Sequence, residues 1–311
     1  MTTKEYNGFC KDMCPGLKMI KIYIPNISNT SIGGGFTFLR NLKKALKDDI
    51  EFVNTWQECD IVFIFSITTM DKGEIHEAVD NGKKLVLRVD NIPRRSRNKR
   101  QSPAERLEEF GKLADMVIYQ SHWAMSYAGY FAGEGIVILN GVDTDIFNKN
   151  GRKPDGKIYL YVNYNDNPNK RFDEALYIFD MDWRLDNELK LLIAGNVPRI
   201  YLENPEYHWD IPTNGLIDYV GVKNTPEEMA ELYKSCDVLL YPSFAEACPN
   251  VVAEAMACGC RVIGINAEGG TSELVEKNIG KGIDDRQVVI SHTIKQMGEE
   301  YLKVFKKLTA G

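Results

Sequence analysis

The sequence predicts an α/β protein built from two doubly wound, Rossmann-like sheets that face each other across a cleft. Three observations carry this expectation. Short apolar runs alternate with helix-patterned stretches from residue 19 onward, and a polar break divides the alternation near its middle. The length, 311 residues, suits two domains at roughly 100–200 residues each.

In the first half, Ile20–Ile24, Ile61–Phe65, Leu85–Val89, Met116–Tyr119 and Ile136–Leu139 predict buried strands, with helices at Phe36–Lys47 and Pro103–Leu113. In the second half the strands are Tyr159–Val162, Leu191–Ile193, Ile217–Val220, Val238–Tyr241 and Val262–Ile265. The helices there are Phe172–Asp180, Pro226–Ser235 and Asn250–Ala257. Near-continuous apolar strands interleaved with helices imply parallel sheets covered on both faces. The stretch 148–157 has no apolar residue but carries two glycines and a proline, and it marks the break. Residues 1–18 read as a loose extension, 19–148 as a first domain and 149–290 as a second. The segment Asp285–Leu308 is helical in pattern, with no strand after it.

Composition narrows the function. With 44% hydrophobic and 26% charged residues the chain is globular in type. Apolar runs such as Ile61–Phe65 fall far short of the ~20 residues that cross a bilayer. Lys4, Lys11 and Asp12 interrupt the first eighteen residues, so no signal-peptide core is expected and a cytoplasmic location is predicted. The net charge of −6 argues against a general nucleic-acid coat, although it leaves room for a local basic patch. Seven cysteines form no paired CxxC elements, and Cys258 and Cys260 read as small buried apolar residues. His76, His122, His208 and His292 show no ligand spacing, so no metal site is predicted.

Gly33-Gly34-Gly35 follows the first strand and precedes a helix. Such glycines let backbone N–H groups approach an anion at a helix N-terminus; a plain surface loop is the other reading. The dinucleotide fingerprint is absent, because its third glycine would fall at Phe38, and no Walker Gly-Lys-Ser/Thr follows.

The most informative stretch is Tyr241–Ile265. Pro249 stands where proline starts a helix and Gly259 where glycine ends one. Glu246 lies in the preceding loop and Glu254 eight residues later in the helix. Eight helical steps would separate them by about 12 Å. Backbone N–H groups of Asn250, Val251 and Val252 would face an anion between the two carboxylates. Hydroxyls at both ends and phosphate in the middle describe a nucleotide sugar.

This stretch resembles the E-x7-E motif of the GT-B fold glycosyltransferases, in particular the retaining family 4 (glycosyltransferase group 1). Other elements fall in family order: Ser121, Asn140-Gly141-Val142-Asp143 with Phe147, Asp166–Arg171, and Gly269-Gly270 with Glu273. The resemblance implies that Glu246 holds donor-sugar hydroxyls, that Glu254 holds the ribose, and that Lys170 contacts the diphosphate. Arg171 stands where the family has glycine and Asn165 where it has arginine, so Arg171 becomes a candidate substitute for the missing charge. Ala247 and Cys248 stand where Gly and Phe are common. The resemblance also implies that the terminal helix, 291–311, completes the first domain, that no cofactor or metal is needed beyond the donor, and that the configuration is retained.

Arg88 and Asp90 end a strand and are candidates for sugar or acceptor contacts, Asp90 also for a catalytic role beside Glu246 and Lys170; a structural Arg–Asp pair is the competing reading. Five cations occupy the seven positions 94–100, led by Arg94, Arg95 and Arg97. They would suit an anionic acceptor: a phosphorylated sugar, a lipid phosphate or DNA. Asp143-Thr-Asp145 and Asp180-Met-Asp182 match the text of a metal-binding D-x-D, but helix or turn capping is the expected duty. The function expected is transfer of a sugar from a nucleotide-diphosphate sugar to an acceptor hydroxyl. Alternatives are a phage-type enzyme acting on hydroxylated DNA bases and a nucleotide-sugar epimerase or hydrolase.

Overall fold

The computed structural model describes residues 19–25, 33–67, 72–90, 103–153, 155–163, 167–196, 216–265, 268–278 and 292–310. In chain order the first half runs β1 (Ile20–Tyr23), α1 (Gly34–Ala45), β2 (Ile50–Val53), β3 (Ile61–Ile64), α2 (Lys72–Asp80) and β4 (Lys84–Val89). It continues with α3 (Pro103–Leu113), β5 (Met116–Tyr119), α4 (His122–Ala132) and β6 (Ile136–Val137). The second half runs β7 (Ile158–Asn163), α5 (Phe172–Trp183), β8 (Lys190–Gly195), β9 (Ile217–Gly221) and α6 (Pro226–Ser235). Then come β10 (Val238–Leu240), α7 (Asn250–Ala257), β11 (Arg261–Ile263), α8 (Thr271–Asn278) and finally α9 (Ile294–Thr309).

All strand pairs are parallel. The first sheet is ordered β2-β1-β3-β4-β5-β6 and the second β11-β10-β7-β8-β9. Each is an open sheet whose chain order reverses once, between β1 and β3 in the first and between β7 and β10 in the second. Helices diverge to opposite faces at such a reversal, leaving a crevice at the carboxyl ends of the strands. Apolar clusters cover both faces of each sheet, as buried parallel strands require.

The last helix returns to the first sheet. Tyr301 packs its ring 5.5 Å from Phe38 and 5.8 Å from Phe63, and Phe305 lies 5.7 Å from Phe63. Gly298 allows the close approach: a Cβ there would come within 2.8 Å of the Ala45 Cβ. Residues 142 and 293 form a parallel bridge, and His292 hydrogen-bonds the Leu139 carbonyl at 2.9 Å.

Several elements differ from expectation. The helix of the glycine segment starts at Gly34, so only Gly33 is a loop residue. The edge strand β2 was not expected, because Ile50-Glu-Phe-Val is half exposed and carries a charge. The aromatic-rich α4 was also missed; Ser121 fixes its start by accepting a bond from the Ala124 amide at 3.0 Å. Neither α2 nor α8 was anticipated. The terminal helix begins later than residue 285, since Thr293 is extended and forms a capping box with Gln296; residues 285–291 lie outside the described residues. The extension 1–18 lies outside them too.

Candidate functional site

A cleft of about 410 Å³ opens between the start of α1 and the starts of α6 and α7. The first half contributes Gly33, Thr37 and Arg40; the second contributes Lys223, Tyr233, Asn250 and Glu254. Two helices begin here without a side-chain cap: α1 after Gly33 and α7 after Pro249. Their free N–H groups and their dipoles favour an anion between them. Gly33 has φ 145°, a conformation that only glycine adopts freely. Gly34 and Gly35 instead sit in the first helical turn, and a Cβ at 35 would lie 3.8 Å from the Asp90 carboxylate. Of the three amides expected at α7, Val252 is already bonded to the Pro249 carbonyl at 3.2 Å and its side chain is fully buried. Asn250, Val251 and Glu254 are the positions of α7 that line the cleft.

At the reversal point of the second sheet, the Lys170 ammonium lies 3.1 Å from a Glu246 oxygen, and each side chain is 24% exposed. Lys170 follows β7 and Glu246 follows β10, so the crevice between those strands brings together residues 76 apart in sequence. The same ammonium lies 5.8 Å from the centre of the Tyr241 ring. Glu246 is fixed through its backbone: its carbonyl accepts from Gly270 at 2.8 Å, and it bridges to Gly269. The preceding Ala245 has φ 55°, a strained conformation for alanine. The Tyr233 hydroxyl donates to Glu254 at 3.5 Å, and burial raises its carboxyl to about 7, with that hydroxyl and the Arg40 charge opposing.

Arg171, the candidate for the missing phosphate charge, faces a carboxylate of its own helix. Its guanidinium pairs with Glu174 at 2.5 Å, one turn along α5, and its backbone is left-handed at φ 50°. That conformation accounts for a glycine preference here.

Arg88 is a correction. It is 1% exposed, donates to the Phe65 carbonyl and to Asn140 Oδ1, each at 3.0 Å, and stacks 3.6 Å from the Phe38 ring centre. A fully enclosed guanidinium with fixed partners is a strut rather than an acceptor contact. Asp90 is half-buried beside Gly35; burial pushes its carboxyl up, while the Arg88 charge, the Ser66 hydroxyl and the Ile67 amide hold it down. Arg94, Arg95 and Arg97 lie outside the described residues, as do Asp166 and His208.

Of the D-x-D pairs, Asp143 caps its turn as expected, its Oδ1 accepting from the Asp145 amide at 3.2 Å, whereas Asp180 and Asp182 do not cap. Lys44 reaches Asp143 at 2.7 Å and Asp145 at 2.9 Å. Asp180 and Asp182 lie inside α5, bonded to Arg184 and to the Tyr159 hydroxyl, each at 2.8 Å. Among the described residues, no three His, Cys, Asp or Glu side chains group as metal ligands. Five described cysteines are buried and unpaired.

The sequence reading missed how the two halves are joined. Ser121 is an N-cap rather than a cleft residue. The Glu273 carboxylate accepts from the amides of His122 at 2.7 Å and Trp123 at 2.6 Å, so a residue of the second half caps a helix of the first. Gly270 has no room for a side chain: a Cβ would sit 2.0 Å from the Ala247 carbonyl and 2.3 Å from Ser121 Oγ. The segment 223–227, which leads into α6, was also missed as a cleft wall, although the Thr225–Glu228 capping box is a readable helix start.

The family model for glycosyl transferases group 1 matches residues 142–306. Among solved structures, HepE from Anabaena, in complex with UDP and glucose, superposes with a TM-score of 0.63 at 16% identity, over 94% of this chain and 92% of that one. A glycosyltransferase from Rickettsia africae ESF-5 gives 0.64 at 14% identity, over 94% and 99%. Sucrose-phosphate synthase from Thermosynechococcus elongatus gives 0.62 at 16%, over 94% and 97%. At these identities the likeness is one of fold. No curated protein matches the sequence significantly. No described helix is long and apolar enough to cross a membrane.

Proposed function

The chain belongs to the glycosyl transferases group 1 family, and we propose that it transfers a sugar from a nucleoside-diphosphate sugar to an acceptor hydroxyl with retention of configuration. The observation that supports this best is the partly exposed Lys170–Glu246 pair at the reversal point of the second sheet, in a molecule whose cleft is entered by two helices without side-chain caps. A cation suits the diphosphate and a carboxylate suits sugar hydroxyls, so the donor satisfies both partners when it separates them.

In the proposed step the acceptor oxygen attacks the anomeric carbon from the face on which the diphosphate leaves. The C–O bond to phosphate breaks, the new glycosidic bond forms, and the acceptor proton passes to the departing phosphate oxygen. Negative charge grows on the leaving group. Lys170 and the amides of Gly34, Gly35, Asn250 and Val251 stabilise it, an electrostatic contribution of the kind that lowers barriers most. Metal is not required in this reading, and rates in EDTA should match those without it. Glu246 orients the sugar, Glu254 accepts from the ribose, and Asp90 contacts the sugar or the incoming acceptor. The acceptor is proposed to be anionic, met by the cations at 94–100.

The test is nucleoside diphosphate release by Glu246→Ala and Lys170→Ala across a nucleotide-sugar panel headed by UDP-glucose, with which HepE was solved. Loss of release in both variants is expected; wild-type rates in both would overturn the assignment. Release of free or epimerised sugar without acceptor would favour the hydrolase or epimerase. Reversing charge across 94–100 should weaken acceptor saturation and spare donor binding.

A further inference from the structure

Asn140 follows the first sheet and lies in the passage to the second, with 5% exposure. None of the roles proposed above uses it, yet its side chain reaches four residues from separate parts of the chain. Its Oδ1 accepts from Arg88 at the end of β4. Its Nδ2 donates to the Cys248 carbonyl at 3.0 Å and to Asn250 Oδ1 at 2.9 Å, and lies 3.2 Å from Gln120 Oε1. Gln120 donates in turn to the Val89 carbonyl at 3.0 Å. The Asn140 amide also lies 3.3 Å from Cys248 Sγ.

Asn250 completes the connection. With its Oδ1 held by Asn140, its Nδ2 points to the Gly34 carbonyl at 3.1 Å. Gly34 opens α1 and Asn250 opens α7, the two helices that enter the cleft without side-chain caps. One chain of hydrogen bonds therefore runs from the Arg88 strut through Asn140 and Asn250 to the first turn of α1. A carboxamide is suited to this place because it accepts on one side and donates on the other; an aspartate would keep the bond from Arg88 and lose those to Cys248 and Asn250.

We propose that Asn140 is a positioning residue for the donor: it sets the Asn250 amide, and through it the spacing of the two helix N-termini that receive the diphosphate. The inference rests on the transferase reading above. Anion stabilisation by backbone amides depends steeply on their placement, and a displacement of about 1 Å can cost on the order of a hundredfold.

The experiment is calorimetric titration of UDP, with GDP and ADP in parallel, into wild type, Asn140→Ala, Asn140→Asp, Asn250→Ala and the double Ala variant, with thermal melts alongside. Failure of wild type to bind any of the three would overturn the transferase reading. If wild type binds, about a tenfold loss or more is expected in each single variant, and the double should be no worse than the poorer single, because both act through one connection. Lower melting temperatures with unchanged nucleotide affinity, or losses that multiply in the double variant, would overturn the role of Asn140. Should neither Asn140 variant fold, Asn250→Ala decides: unchanged affinity overturns the proposal and a tenfold loss supports it.

Discussion

Arg88 and Lys170 are both cations near the carboxyl end of a sheet, one in each half of the molecule, and they have opposite fates. Arg88 is enclosed, bonded to Phe65 and Asn140 and stacked on Phe38. Lys170 keeps 24% of its side chain exposed and faces one carboxylate. A buried charge held by fixed partners cannot exchange them for a ligand without paying desolvation again; a partly exposed pair can. The first half thus uses its cation as scaffold, and the second keeps its cation available.

The largest effect expected from breaking this contrast is on Lys170. Lys170→Ala should lower kcat/KM by about a hundredfold to a thousandfold, as loss of one preorganised charge typically does, with an unchanged melting temperature. Arg88→Met should do the reverse in kind. It strands two buried acceptors, each worth about 1–3 kcal/mol, so denaturant unfolding should show the main loss. If Arg88→Met instead melted normally and lost only acceptor affinity, the strut assignment would fail.

Gly270→Ala tests the joint between the halves. Its methyl would meet the Ala247 carbonyl and Ser121, so about 1–3 kcal/mol of overpacking cost is expected, together with lower activity because Glu246 bonds the Gly270 amide.

Glu254 gives a pH signature. Its folded pKa of about 7 lies above the ordinary 4.5, so the folded state holds a proton that the unfolded state releases first. Stability from this group is present below about pH 4.5 and falls as pH rises to about 7. Glu254→Gln should flatten that slope in melts between pH 5 and 8. If the carboxylate accepts ribose hydroxyls, nucleotide binding should tighten as pH rises through 7 in wild type and not in the variant.

The smallest effect is expected at Arg171. Arg171→Gly relieves a left-handed backbone worth about 1 kcal/mol and gives up a surface pair with Glu174 worth about half that, so a slight rise in melting temperature is expected without loss of turnover.

Most strands and several helices were legible, with Met116–Tyr119, Pro103–Leu113, Pro226–Ser235 and Asn250–Ala257 predicted to the residue. These segments carry strong local signals: a continuous apolar run, a proline at the first turn, a glycine after the last. β2 and α4 lack them. β2 gains its place from pairing with β1, and α4 from its Ser121 and Glu273 caps. Glu246, Glu254 and Lys170 were legible as candidates because their chemistry and spacing form a recognisable pattern.

The sequence alone determined the two-sheet α/β architecture and the family, since apolar periodicity and short motifs are properties of neighbouring residues. Only the tertiary structure decided which charges are spent. Arg88 looks as available as Lys170 in the sequence, but desolvation and hydrogen bonding are set by groups far along the chain: Asn140 lies 52 residues from Arg88, and Glu246 lies 76 from Lys170. Such distances leave no local trace in composition or periodicity, and they decide which side chains remain free to meet a ligand.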